Sequence, residues 1–224
     1  MNVGATTDVL VVGAGLAGLF LALRLAPRRC TVLSPTVLGQ AAASAWAQGG
    51  LAAALDPADS AEQHAADTIA AGAGLVDPQV ALLIAREGPA AVAALANLGV
   101  PFDRTQTERF ALSLEAAHSQ ARVARVAGDL AGRAIMETLV TAVRRATHIQ
   151  VLEGVRAVAL AQTDGRGTGV MTRSTEGESL ISAAETVMAT GGAGGLYRIT
   201  TNPKEARGAA LAQAFNAGAV IADP

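Results

Sequence analysis

The segment VLVVGAGLAGLFLALRLA, residues 9–26, restricts the fold more than any other part of this 224-residue chain. Four apolar residues lead into the turn Gly13-Ala14-Gly15-Leu16-Ala17-Gly18, and apolar residues at helical spacing follow at once. This G-x-G-x-x-G pattern stands between a buried strand and a helix. There the first glycine permits a tight turn, the second lets a pyrophosphate approach the backbone, and the third lets helix and strand pack closely. The segment therefore predicts the start of a doubly wound parallel sheet that binds a dinucleotide.

The residues that follow this turn leave the choice of dinucleotide open. An NAD-binding domain normally carries an Asp or Glu about 20 residues further on, where it binds the ribose hydroxyls. Here the second predicted strand, 31–33, ends in Ser34-Pro35, and Ser34 offers only one weaker hydrogen bond. The uncharged segment 44–50, SAWAQGG, favours FAD, because glycine backbone can lie against a flat flavin ring while Gln48 bonds its polar edge. An NAD-binding module is the alternative.

Composition argues against several other classes of function. The chain has 17 basic and 19 acidic residues, a net charge of -2, and no stripe of Lys or Arg for a nucleic acid backbone. A single cysteine, Cys30, excludes an internal disulfide and offers no metal-ligand spacing. Residues 30–55 are uncharged, but polar residues and glycine interrupt them too often for a membrane span. We predict a soluble, cytoplasmic protein without metal, nucleic acid or membrane partners.

The spacing of apolar residues predicts an α/β fold: a Rossmann-like domain with a doubly wound parallel sheet and an added antiparallel β element, in one domain over 1–224. Strands are expected at 8–12, 31–33, 151–161, 168–173 and 185–189, and helices at 16–25, after Asp59 with Ser60 near the cap, at 78–97 and at 129–145. A last helix is expected with Asn202 as N-cap, Pro203 first and Gly218 just past its end. The glycines of TGGAGG, 190–195, predict a sharp turn or a close approach.

Four blocks of this sequence resemble the L-aspartate oxidases, a family of the succinate dehydrogenase and fumarate reductase flavoprotein superfamily. They are the glycine turn, SAWAQGG, LEAAHSQARV with GDLAGRAIMETL within 114–139, and ATGGAGGLYRITTNPKEARG at 189–208. With AGAGLVD at 71–77 they span nearly the whole chain. The resemblance implies FAD, held without a covalent bond, because Ala43 stands where relatives with covalent flavin carry the attaching histidine.

The resemblance also implies which residues contact the cofactor. They are Gly13, Ala14, Gly15, Leu16, Ala17, Gly18, Ser34, Ala43, Ser44, Ala45, Trp46, Ala47, Gln48, Gly49, Gly50, Arg156, Ala157, Thr190, Gly191 and Gly192.

Glu115, in EAAHS, matches the family carboxylate that faces the amino group of the substrate. Aspartate differs from succinate by an ammonium group, to which a carboxylate offers a charge-assisted hydrogen bond. The resemblance implies oxidation of L-aspartate to iminoaspartate with O2 or fumarate as acceptor, the first step of NAD biosynthesis via quinolinate, and handover of iminoaspartate to quinolinate synthase. His118 is expected to be a structural, hydrogen-bonded residue, and His64 and His148 to lie on the surface.

The sequence departs from the family pattern at several positions. Leu114, Gln120 and Ala121 stand where the family commonly carries arginines, so that only Arg122 remains of them. Ala209 stands where the family usually carries an Asp that contacts the flavin, and Pro35 stands where it often carries a Lys. The sequence stops ahead of the family's QFHPT segment and capping domain, so the resemblance implies a truncated FAD-binding domain, without the capping domain and later flavin-binding segment. Two further hypotheses stay open: a catalytically inactive flavin-binding remnant, and a dicarboxylate flavoprotein like fumarate reductase or succinate dehydrogenase.

Overall fold

The structure, a computed structural model, describes residues 6–40 and 42–221. The chain divides into two compact units: unit 1 comprises Met1–Ala45 and Leu139–Pro224, and unit 2 comprises Trp46–Thr138. The elements in chain order are β1 (Thr6–Val12), α1 (Leu16–Arg24), β2 (Cys30–Ser34), a 3-10 turn (Ala43–Trp46), β3 (Leu51–Ala52), α2 (Ala61–Ala71), α3 (Pro78–Asn97), β4 (Leu112–Ser113), β5 (Val123–Ala124), α4 (Ala131–Arg145), β6 (Ile149–Glu153), β7 (Arg156–Thr163), β8 (Arg166–Ser174), β9 (Gly177–Met188), a second 3-10 turn (Gly194–Leu196) and α5 (Ala209–Asn216).

Unit 1 contains a six-stranded sheet in the order β6-β2-β1-β9-β8-β7. The first four of these strands run parallel, and β8 and β7 continue the sheet antiparallel as a hairpin. Residues 9–12 of β1 and 32–33 of β2 are no more than 4% exposed. Interior strands of a parallel sheet are covered on both faces, which is why these segments read as continuous apolar runs. The predicted α/β class, with its parallel sheet and antiparallel element, is confirmed.

Two backbone hydrogen bonds join the carboxyl ends of β1, β2 and β9 in unit 1. The N–H of Gly13 donates to the carbonyl of Leu33 at 3.1 Å, which joins the turn after β1 to the end of β2. The N–H of Ala189 donates to the carbonyl of Val12 at 2.8 Å, which joins the end of β9 to β1. The loops after these strands therefore meet at one edge of the sheet.

Unit 2 contains the helix pair α2 and α3 and a small antiparallel sheet, β3-β5-β4. The predicted helix starts are confirmed: Ser60 caps α2 by accepting from the N–H of Gln63, and Asp77 caps α3, with Pro78 in its first turn. By length and composition alone α3 could cross a membrane: its mean hydropathy is 1.3, and 22% of the apolar stretch is buried in the structure. It packs on α2 through small residues that include Ala81 and Ala85.

Two predicted elements of unit 1 were wrong. The strand expected at 151–161 is two strands, because the chain turns at Gly154, whose φ is +69°, so that β6 pairs with β2 and β7 with β8. The last helix begins at Ala209, behind Gly208 with φ of +67°, and not at Asn202. The N–H and side-chain amide of Asn202 instead donate to the hydroxyl of Thr200. The expected end of that helix, with Gly218 just beyond it, is confirmed.

Candidate functional site

A cavity of about 610 Å³ lies at the carboxyl edge of the sheet in unit 1. Its wall contains residues from the ends of β1, β2 and β9, the start of β7 and one side of α5. Ligand pockets of proteins commonly have this size, and ligands of open α/β sheets bind outside the carboxyl ends of the strands. The cavity is therefore the candidate binding site of unit 1.

The glycine turn in the cavity wall has the geometry that its sequence predicts. Gly13 has a φ of +116°, and a Cβ on it would overlap the carbonyl oxygen of Ala189. A Cβ on Gly18 would overlap the carbonyl oxygen of Gly13. The first glycine therefore serves the turn and its contact with the loop after β9, and the third serves the packing of α1 on β1.

The N-terminus of α1 opens into the same cavity. Gly15 is the N-cap residue, and Gly15, Leu16 and Ala17 all contribute to the wall. The hydroxyl of Ser44 accepts from the N–H of Leu16 at 3.2 Å, so a second loop is fastened to the helix start. Free N–H groups and the helix dipole make such an end a binding site for phosphate. This end of the cavity suits the pyrophosphate of a dinucleotide.

The cavity wall also carries polar groups for the remainder of a nucleotide. Ser34 is 3% exposed, and its hydroxyl donates to the carbonyl of Thr36 at 2.7 Å, which leaves its lone pairs as acceptors. The side-chain amide of Gln213 donates to the carbonyl of Ala157 at 3.4 Å. Its Oε1 is buried and has no partner within the described part of the chain. An orphaned acceptor in a cavity wall is the kind of group that a ligand N–H or O–H satisfies. Sequence reasoning missed Gln213, because its role depends on where α5 begins.

The structure places the predicted cofactor residues in two groups. In unit 1 all of them line the cavity except Gly18, which packs beneath the turn, and Ala45. Trp46 and the segment 47–50 belong to unit 2. Ala209, at the position where the family pattern has Asp, is also in the cavity wall.

In unit 2 the structure brings Glu115 next to the predicted flavin loop. The carboxylate oxygens of Glu115 lie 3.6 and 3.8 Å from the point that a Cβ on Gly49 would occupy. A Cβ on Gly50 would overlap the carbonyl oxygen of Ala124, so this loop lies tightly against β5. Gln48 and Glu115 are exposed. The predicted acid and the predicted backbone platform are therefore neighbours within unit 2.

A buried arginine lies at the base of the Glu115 loop. Arg122 is 0% exposed, and its guanidinium makes two bonds of 2.9 Å to the carboxylate of Asp59. It also donates to Asp67 at 2.6 Å and to Nδ1 of His118 at 3.2 Å. Ser119 donates to the same oxygen of Asp67 through its N–H at 2.7 Å and its hydroxyl at 2.8 Å.

Protonation in this cluster follows from these contacts. The hydrogen bonds of Ser119, together with Arg122, lower the pKa of the Asp67 carboxyl to about 2. Burial, followed by the charge of Arg122, lowers the pKa of His64, which is 8% exposed. The expectation that His64 lies on the surface was wrong, and half-buried His148 donates to the carbonyl of Ala22. The spacing of three between His64 and Asp67 could have indicated a shared helix face.

A parallel sheet that begins with a G-x-G-x-x-G turn, with a cavity at its carboxyl edge, defines a dinucleotide-binding domain of the Rossmann type. The model of the FAD binding domain family matches residues 8–224. The chain belongs to this family, and FAD is its cofactor. The NAD-binding alternative is thereby set aside.

The curated relatives and solved structures agree with this assignment. The chain is 54% identical to an L-aspartate oxidase of Caulobacter vibrioides and 45% identical to one of Mesorhizobium japonicum, covering 96% of this chain in each case and 43% and 42% of the relatives. Mycobacterium smegmatis Sdh1 superimposes with a TM-score of 0.89 at 30% identity, over 96% of this chain and 39% of Sdh1. An E. coli quinol fumarate reductase gives a TM-score of 0.89 at 26% identity, over 96% and 37%. The chain thus spans less than half the length of each of these four proteins.

Proposed function

We propose that this chain is the FAD-binding part of an L-aspartate oxidase, which oxidises L-aspartate to iminoaspartate with O2 or fumarate as electron acceptor. The names of the relatives at 54% and 45% identity support the reaction. The position of Glu115 beside Gly49 is the single structural observation that carries the choice of substrate. A carboxylate there attracts the ammonium group of aspartate and has no matching group on succinate.

When bound, FAD accepts the hydride from the substrate carbon, so the residues of the chain have to hold, orient and shield the reactants. The turn at 13–18 and the N-terminus of α1 would hold the pyrophosphate. Ser34 and the orphaned Oε1 of Gln213 would accept hydrogen bonds from the nucleoside end. The segment 46–50 would lie along the flavin ring, and Ala43 would leave the flavin without a covalent bond. Among the described residues we assign Glu115 to the ammonium group and none to proton removal.

In the same proposal the enzyme acts in the cytoplasm at the first step of NAD biosynthesis and hands iminoaspartate to quinolinate synthase. The net charge of -2 and the dispersed basic residues support a protein that binds neither nucleic acid nor anionic membrane. Iminoaspartate hydrolyses readily as an imine, which favours direct transfer to the next enzyme.

The second candidate is a dicarboxylate flavoprotein of the fumarate reductase type. The TM-scores of 0.89 to Sdh1 and to the quinol fumarate reductase favour it. Glu115 separates the two candidates, because a carboxylate beside the substrate repels a dianion that lacks an ammonium group.

The test measures reduction of flavin by substrate. The full-length protein that carries this chain is purified and loaded with FAD, and loss of oxidised-flavin absorbance is followed without oxygen as L-aspartate or succinate is added. We expect L-aspartate to bleach the flavin, and Glu115→Gln to raise the half-saturating L-aspartate concentration about 10-fold, because an exposed charge-assisted hydrogen bond is lost. Glu176→Gln, at the exposed β8–β9 turn, is the matched control and should change nothing.

The possible results separate the hypotheses. Bleaching by succinate alone contradicts the proposed substrate and favours the second candidate. A full-length protein that binds FAD and is bleached by neither compound contradicts the proposed reaction and favours the inactive flavin-binding remnant.

A further inference from the structure

The polar cluster around Arg122, formed by Asp59, Asp67, His118, Ser119 and Arg122, connects two parts of unit 2. Asp59 precedes α2 and Asp67 lies within it, whereas the other three residues lie on the loop 114–122 between β4 and β5. Gln63, also on α2, adds a bond from its side-chain amide to the hydroxyl of Ser119 at 3.1 Å. The loop is therefore held on α2 by side chains, of which Gln63 and Asp67 bond to Ser119.

The bonds to this loop begin close to Glu115. The N–H of His118 donates to the carbonyl of Glu115 at 3.2 Å, which closes a turn in which Ala117 has a φ of +70°. Ser119 follows directly and is held by Asp67 through both its N–H and its hydroxyl. The backbone from Glu115 to Ser119 thus forms one short, fixed segment.

The carboxylate of Glu115 has no hydrogen bond or ion pair of its own within the described ranges. The distance between the Glu115 carboxylate and Gly49 therefore depends on the position of the backbone at Glu115. That backbone is held by groups which cannot easily rearrange: the side chains of Arg122 and Asp59 are 0% and 1% exposed. Removing the carboxylate of Asp59 or Asp67 would leave the buried guanidinium of Arg122 with one ion pair fewer.

We propose that Asp67 is a positioning residue for Glu115 and so for recognition of the substrate ammonium group. By holding Ser119 and Arg122 at once, Asp67 fixes the turn that presents the Glu115 carboxylate beside the Gly49 backbone. The inference rests on the proposed function for the identity of the substrate. It adds that a carboxylate with no substrate contact determines how well the substrate is bound.

The first measurement is independent of any reaction. Hydrogen exchange is followed by mass spectrometry in the full chain as wild type, Asp67→Asn and Ser119→Ala. Asp67→Asn keeps the shape and one acceptor but loses the charge facing Arg122, while Ser119→Ala leaves both ion pairs of Arg122 in place. We expect amides of 111–122 to exchange about 10-fold faster in Asp67→Asn and less so in Ser119→Ala, with β1 and α1 unchanged.

Glu62→Gln is the matched control. Glu62 lies on the same helix and pairs with Arg86 at 2.9 Å, but both side chains are more than half exposed. It should leave exchange in 111–122 at the wild-type rate. If exchange rises equally in both units of Asp67→Asn, the cluster only stabilises the fold and the proposal is overturned. If exchange does not rise in either variant, the cluster does not hold the loop and the proposal is overturned as well.

The second measurement uses flavin reduction by L-aspartate. We expect Ser119→Ala and Asp67→Asn to raise the half-saturating L-aspartate concentration, by about 10-fold in Asp67→Asn, while the limiting rate stays within about 2-fold. The FAD dissociation constant, measured by quenching of Trp46 fluorescence, should not change. A lower limiting rate with an unchanged half-saturating concentration overturns the proposal. If the wild type does not respond to L-aspartate, the proposed function fails, and the exchange result alone decides whether Asp67 fixes the loop.

Discussion

Replacement of Gly13 by alanine applies two separate penalties to the nucleotide-binding turn. The φ of +116° lies beyond the small left-handed region that L-residues can enter, and even that region costs an alanine about 1–2 kcal/mol. The new Cβ would also overlap the carbonyl oxygen of Ala189 and lie 2.7 Å from its carbonyl carbon. Overpacking of this kind costs about 1–3 kcal/mol. Together these penalties lower the free energy of unfolding by about 2–5 kcal/mol, which most domains survive.

Gly165→Ala separates the two penalties. Gly165 lies in the β7–β8 turn of the same unit with a φ of +74°, and a Cβ on it would meet nothing within 4 Å. It therefore carries the backbone penalty alone, about 1 kcal/mol. Urea unfolding gives the free energies, and quenching of Trp46, the single tryptophan, gives FAD affinity. We expect Gly13→Ala to weaken FAD binding at least about 10-fold, because the turn must move away from Ala189, and Gly165→Ala to leave it unchanged.

The two variants could instead lose the same free energy of unfolding and bind FAD equally well, which would contradict both the steric penalty and its effect on the cofactor. That result would mean that the turn tolerates a side chain at its closest approach to the loop after β9.

Three further predictions concern single side chains. Ser44→Ala should lower the free energy of unfolding by about 1 kcal/mol in urea, because the N–H of Leu16 loses its acceptor; an unchanged value would contradict that role. Ala117→Gly should raise the free energy of unfolding by about 0.5 kcal/mol, because glycine adopts the φ of +70° without strain and loses slightly more entropy on folding. A loss of stability in this variant would show that Ala117 is not strained. Folding lowers the pKa of Asp67 from 3.8 to about 2, so its stabilising contribution is present above pH 4 and lost as the pH falls towards 2. The difference in unfolding free energy between wild type and Asp67→Asn should therefore shrink over that range, and a constant difference would contradict the assignment.

The parts of this fold that the sequence predicts depend on local sterics. The turn at 13–18 needs glycine for reasons contained within a few residues, and Ser60 and Asp77 cap helices through bonds to neighbours two or three residues away. Helix α3 could be placed from residue 78 to 97 because proline stands at its first position and a glycine follows its end. Predictions of this kind need no knowledge of tertiary packing.

The parts that were missed depend on distant partners. Arg122 bonds to Asp59 and Asp67, which precede it by 63 and 55 residues, so no local pattern marks it as buried. The segment before α5 folds back, with the N–H of Gly195 bonded to the carbonyl of Ala206, and this removes Asn202 from the helix start that its sequence suggests. Glu115 was found only through resemblance, because its place beside Gly49 results from the pairing of β3 and β4 with β5.

The strand order of unit 1 has a consequence for how the protein is made. Strand β1 lies between β2, which is synthesised soon after it, and β9, which ends at Met188. The glycine turn therefore lacks its neighbour Ala189 until residue 189 has left the ribosome, whereas the continuous segment of unit 2 is complete at residue 138. The nucleotide site of unit 1 is therefore completed after unit 2, and cofactor binding can report that β9 and the loop after it have reached their place beside β1.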